Sequence, residues 1–355
     1  MTFKRFRAVS TIIMAASIAI VSCKKDEETT TLPTLDGTLS FSVPLYADVD
    51  ATLEMTAKGV THPEGDALGV YWKVSPDMEA NDTSKTAFDP ETGASLKYQL
   101  DGKMQTYTIT CGVFASGYST KTATQYVTAV KGGMDGTGSI TEAGFSASDE
   151  AFIDPRDGKE YYIASIGGRI WFRHNLAYEG EITAGQESLG HGIPYYDCEA
   201  MTDVFGLYYT QEQALNACPD GWRVPAEEDW LDMANATAAS DGSLAVQNFE
   251  KGQTYAGLAG ALMADAQFNG NALWEYWPQV KITNSSRLAA ISAGYAITAN
   301  GSSTFDGSTK YAAFWTSEND GEKGSYRYIY VDSPDVYVGT GYSSFATSVR
   351  CVRDL

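Results

Sequence analysis

From residue 38 to about residue 130 no apolar pattern lasts longer than a short strand. The runs "LSFSVPLY", "ATLEMTA", "GVYWKVS", "LKYQLDG", "YTITCGVFA" and "TQYVTAV" follow one another, with "HPEGDAL" and "DPETGAS" supplying turns between them. A period of two sends neighbouring side chains to opposite faces, so each run has one face to bury and is too short to bury it alone. Strands at this spacing, with no helical period among them, pack as two facing sheets, which predicts an all-β sandwich over residues 38–147. Toward its end "KGGMDGTGSITEAG" holds five glycines. It reads as an extended loop or a last hairpin of the sandwich, with a domain boundary near residue 148.

The texture changes there. Six of the seven tryptophans and sixteen of the twenty-two tyrosines lie beyond residue 150. A chain of 355 residues also exceeds what one core usually holds, so a multidomain protein is expected, its second domain spanning residues 148–355. In that domain "EYYIASI" alternates and passes through "GG" into "RIWF", the pattern of a hairpin. The first domain, through "PEGDALGVYWKV" and "YTITCGVFASGYS", resembles the bacterial immunoglobulin-like and PKD-like modules. That resemblance makes Trp72 and Cys111 core residues and the module a spacer.

The amino-terminal end bears on location. Lys4, Arg5 and Arg7 precede "AVSTIIMAASIAIV", an apolar run of signal-peptide length and too short to span a bilayer. It ends in "IVSC", which resembles the lipobox of bacterial lipoproteins. Residues 1–22 are then a signal peptide, Cys23 carries lipid, and the polar residues 23–37 form a flexible tether. "KKDEE" behind Cys23 looks like the surface-export signal of Bacteroidetes lipoproteins. The expected location is the cell outer membrane, lipid-anchored and surface-exposed. Loss of Lys4, Arg5 and Arg7 with the leader takes the formal net charge from −20 to −23. Such a chain is repelled by phosphates, which argues against nucleic acid as a partner.

Beyond residue 150 the motifs run "DPRDGKEYYIASIGGRIWFRHNLAY", "DVFGLYY", "CPDGWRVPAEEDWLDM", "AAFWTSE" and "TSVRCVRDL". This order closely resembles the Fibrobacter succinogenes major paralogous domain family over residues 154–354, a family mostly of unknown biochemical function. Its pattern is similar in turn to the C-type-lectin-like fold, shared with formylglycine-generating enzymes. The resemblance implies an α+β domain in which two helices flank a twisted, mostly antiparallel sheet and the chain ends lie close together. It also implies a disulfide between Cys218, after the helical run "TQEQALNA", and Cys351 in the last strand; the alternative is two buried free thiols. A bridge closing about 130 residues contributes roughly 4 to 5 kcal/mol in the chain-entropy model. For Cys111 and Cys198 two states stand: a bridge between the domains or free core thiols.

Chemistry is sparse. In "VPAEEDWLDM" Pro225 sits at the start of a helix, and Glu227, Glu228 and Asp229 fill its first turn, where the dipole favours acids. Family members often carry Thr or Ser where this chain has Ala226, so a side-chain cap is expected to be missing. No histidine or nucleophile accompanies these acids, and no catalytic residue is assigned. Formylglycine-generating enzymes need a reactive C-terminal cysteine pair, of which this chain has one member, so the expectation is no enzyme and no cofactor. Scattered histidines and the absence of a CxxC pair disfavour zinc. "SPD" and "SEND" match the calcium-binding loops of C-type lectins poorly, so no metal is expected. In "NALWEYWPQV" the aromatic residues Trp274, Tyr276 and Trp277 are either core or a ligand-facing loop. The expected function is a surface lipoprotein whose C-terminal domain binds an extracellular glycan or protein, the sandwich being a spacer. The alternative is a structural or tip subunit of a fimbria-like assembly.

Overall fold

A computed structural model describes residues 31–76, 87–132, 138–142, 150–244 and 247–355. The protein is mostly β, its strands divided among several sheets. In the N-terminal part a five-stranded sheet runs in the order Tyr46–Asp48, Lys121–Val130, Thr106–Phe114, Leu68–Ser75, Ala87–Phe88. A three-stranded sheet of Asp36–Ser40, Thr52–Thr61 and Ala94–Gln99 faces it. Alternation in the sequence becomes alternation in burial. Leu68, Val70, Trp72 and Val74 of one sheet meet Leu53, Met55, Ala57 and Val60 of the other in a single apolar core. Trp72 lies directly across from Cys111, and Phe41 meets the indole edge-on at 5.0 Å. Burial pushes the Cys111 thiol up to about 12, so it stays protonated and packs as a small apolar group.

The glycine-rich stretch departs from the expected last hairpin of the sandwich. Ile140–Glu142 pairs antiparallel with Ala266–Phe268, in a sheet completed by Asn271–Ala272. A strand so far along the chain is invisible to a local reading, and its open edge is what the linker completes. The junction around it is packed. Asn269 donates its side-chain amide to the Ala129 carbonyl at 3.1 Å. Tyr46 meets the rings of Tyr195 and Phe268, and Val130 shares a buried cluster with Tyr195, Phe205 and Tyr208. Cys198, half-buried here, donates its thiol to the Tyr46 carbonyl at 2.9 Å. Cys198 and Cys111 are both free, so no bridge joins the two parts through them.

In the C-terminal part Ala151–Ile153, Glu160–Ile166, Arg169–Phe172 and Val352–Asp354 form one four-stranded sheet, so the last strand closes on the opening hairpin. That hairpin turns at Gly167 and Gly168, with φ of 58° and 78°. A Cβ on Gly167 would stand 2.6 Å from the Met233 nitrogen, so only glycine lets the helix Glu227–Ser240 pack over the turn. The shorter helix Gln211–Ala217 starts at Thr210, which forms a reciprocal capping box with Gln213. Cys218 follows it and is disulfide-bonded to Cys351, with Cα atoms 5.9 Å apart. The remaining strands include the sheet Tyr311–Asp320, Lys323–Tyr330, Val336–Gly341 and a hairpin of Tyr295–Ala299 and Ser302–Asp306 that pairs with Phe345–Ala346.

A tyrosine-lined trough as the candidate ligand site

Two faces of the sheet Tyr311–Asp320, Lys323–Tyr330, Val336–Gly341 have opposite characters. Register pairs Tyr311 with Tyr330, Tyr328 with Tyr337 and Tyr326 with Gly339. Directly paired residues project to the same face, so these tyrosines share one side. The other side carries Ala312, Phe314, Ile329 and Val336 into the core. Rings stack across the strands: Tyr311 on Tyr328 and Tyr328 on Tyr337, both at 5.2 Å between centroids. Room for this comes from Gly339, where a Cβ would meet the Tyr326 ring at 2.4 Å.

This face forms the floor of two adjoining hollows of about 520 and 550 Å³, which share Tyr311, Tyr326 and Tyr330. Asp332, Ser333 and Tyr337 wall one lobe; Tyr295, Asp306, Lys310 and Phe345 wall the other. Each is of small-ligand size. Hydrogen bonds orient the phenols. Tyr337 and Ser333 share one at 2.6 Å, Tyr311 donates to Tyr326 at 3.4 Å, and Tyr295 donates to Asp306 at 3.5 Å. Burial, then the neighbouring Tyr326, raises the Tyr311 phenol well above its ordinary value, and burial raises Tyr328 as well. Both remain protonated at neutral pH; the Tyr311 hydroxyl, whose hydrogen goes to Tyr326, offers an acceptor, and the Tyr328 hydroxyl offers a donor and an acceptor.

The aromatic trio of the sequence reading is divided. Trp274 is not ligand-facing: it is 3% exposed, packs in the core with Trp171 and Trp230, and donates its indole N–H to the Ala290 carbonyl at 3.2 Å. A large indole with a backbone acceptor in reach gains most by full burial. Tyr276 and Trp277 are exposed, at 87% and 40%. Their loop is fixed beside the trough through Glu275, whose carboxylate faces Lys310 at 3.5 Å. The tyrosine face itself was missed. Its signal was "YRYIY", residues 326–330, a strict period of two whose partners at 311 and 337 only the register reveals.

The acids of "AEEDW" belong to the scaffold. Asp229 accepts the Ala226 N–H at 2.7 Å and an Arg223 N–H at 3.0 Å, and Arg169 reaches it at 3.0 Å. Glu318 accepts the Glu227 N–H at 2.8 Å. The helix start is thus capped by its own Asp229 and by Glu318 from the strand Tyr311–Asp320, which is why Ala226 needs no side-chain oxygen. Glu227 is buried against Arg327, and Glu228 faces Lys251 at 3.4 Å on the surface. Among the described residues no group of three or more His, Cys, Asp or Glu side chains is placed to hold a metal ion. Among the same residues no helix is long and apolar enough to cross a membrane. Cys23 and the leader lie outside the described residues.

These features define a β-rich domain with a cross-linked terminus and a tyrosine-lined sheet face. Residues 164–353 match the model of the Fibrobacter succinogenes major domain, and the chain belongs to that family. No curated protein matches the chain in sequence.

Proposed function

We propose that this is a lipid-anchored protein of the outer membrane surface whose C-terminal part binds an extracellular glycan in the tyrosine trough. The carrying observation is a hydroxyl-rich aromatic floor lining both hollows, with Tyr330 exposed and Tyr311, Tyr326, Tyr328 and Tyr337 half-buried. Tyrosine offers rigid amphipathic contact area at little entropic cost, which suits ligands that are apolar on one face and hydroxylated at the rim. The exposed Tyr276 and Trp277 follow Glu275, whose carboxylate faces the lining residue Lys310. Support for a lectin-like arrangement comes from two helices against antiparallel sheet and from the bridge between the end of the first helix and the last strand. Support for the immunoglobulin-like spacer comes from the two facing sheets around Trp72. The anchor reading rests on "IVSC" with Cys23.

The assembly alternative requires an open edge on the sandwich to which a foreign strand can add. Tyr46–Asp48, one edge of the five-stranded sheet, is covered by Tyr195 and Cys198, and the other edge, Ala87–Phe88, is two residues long. Both features favour the spacer, whereas the facing sheet ends in Asp36–Ser40 and Ala94–Gln99, each paired on one side only. Binding is tested by applying the full chain to a glycan array. Tyr328→Ala with Tyr337→Ala is expected to abolish the signal while the melting temperature changes by only a few degrees. Binding that survives the double variant would remove the trough from the proposal.

A further inference from the structure

We infer that the trough selects neutral oligosaccharides and discriminates against acidic ones, an inference that rests on the glycan-binding reading. The selection follows from the charged groups on its walls. Asp332 lines one lobe and Asp306 the other. Asp306 is fixed in place, accepting the Gly307 N–H at 2.6 Å and the Tyr295 hydroxyl at 3.5 Å. Lys310 is the cation among the described lining residues, and Glu275 faces it at 3.5 Å. The walls therefore hold two carboxylates and one ion pair.

A uronate or sulfate seated on the shared tyrosines would face carboxylates in both lobes, with the Lys310 ammonium already paired with Glu275. The whole chain adds a background of the same sign, formally −20. Salt screens that background beyond about 8 Å at physiological ionic strength, so the two wall acids dominate. Like charges a few ångströms apart near a protein surface weaken binding by about tenfold or more. Neutral hydroxyls meet no such opposition. They find the protonated phenols of Tyr311 and Tyr328, the Ser333 hydroxyl and the carboxylates themselves as partners. Because the lobes share Tyr311, Tyr326 and Tyr330, a ligand of several sugar units occupies both, whereas a single unit occupies one.

The test titrates the full chain with a neutral β-glucan oligosaccharide and with an oligouronate of equal length, at low salt and in about 0.5 M NaCl. The neutral ligand is expected to bind about tenfold more tightly at low salt, and added salt is expected to narrow the ratio. In Asp306→Asn with Asp332→Asn the ratio is expected to fall to about threefold or less. An acidic ligand that binds equally or more tightly, yet is lost in Tyr328→Ala, overturns the charge selection and leaves the glycan reading intact. A ratio that responds to neither salt nor the asparagine variants also overturns the selection. Failure of folded protein to bind either ligand overturns both readings.

Discussion

The two parts of the molecule bury strand-rich chain by different chemistry. Among the described residues, the only buried polar side chain before residue 131 is His62, whereas sixteen buried polar or charged side chains follow. The sandwich needs few because its strands satisfy one another's N–H and C=O groups in continuous ladders. Much of the C-terminal part is irregular between the helix Glu227–Ser240 and the strand Tyr295–Ala299. Its backbone carbonyls have no ladder to join, and buried guanidinium groups collect them. Arg350 donates to the Leu288 and Ala289 carbonyls, both at 2.9 Å, and to the Asn175 side-chain oxygen at 2.8 Å. Arg327 donates to the Gln253 carbonyl at 2.6 Å and to the Tyr255 hydroxyl at 2.9 Å. Regular pairing makes a core that apolar residues can fill; irregular chain requires polar brackets and a covalent one.

If that contrast is right, removing brackets harms the C-terminal part most. Cys218→Ala with Cys351→Ala is expected to cost about 4 to 5 kcal/mol, because the bridge constrains an unfolded loop of 133 residues. Urea denaturation measures it, and a loss under about 1 kcal/mol would break the contrast. Arg350→Met keeps the volume and strands at least three buried acceptors, with an expected cost of about 3 kcal/mol or more. The same titration reads it.

Asp229→Asn follows, at about 1 to 2 kcal/mol, and its effect depends on pH. Burial opposes the Asp229 charge, but hydrogen bonds from Arg223 and the Ala226 N–H, with the Arg223 and Arg169 charges, hold its carboxyl below the ordinary range. A carboxyl lowered on folding stabilises above the unfolded value of about 4 and loses that contribution as pH falls through the folded value. The melting-temperature gap between the native chain and Asp229→Asn is therefore expected to be full at pH 6 and to close below about pH 4. Smallest is Cys111→Ala in the sandwich, expected near 1 kcal/mol or below from a small cavity, and detectable only as a slight shift in the denaturation midpoint.

The sandwich strands, the hairpin at Gly167, both helices and the cysteine pair were legible because each has a local signal or a family motif behind it. "GVYWKVS" alternates, "TQEQALNA" runs as a helix into Cys218, and acids crowd the start of the second helix. Contacts between distant segments were not. Nothing near Ile140 points to Ala266, and nothing near Trp274 indicates whether its indole meets solvent or the Ala290 carbonyl. The trough failed to appear for the same reason: its floor comes from three strands, and only their pairing brings five tyrosines to one face.

The bond between Cys218 and Cys351 also has a mechanical meaning. Every residue that lines the trough lies between those two positions. Tension applied at the trough and resisted at the amino-terminal end can therefore cross from the short C-terminal arm through the sulfur atoms to the helix at Gln211–Ala217. The long covalent loop is bypassed and cannot pay out as slack. A chain pulled this way in a force spectrometer should yield a short extension in its oxidised state and a much longer one after reduction.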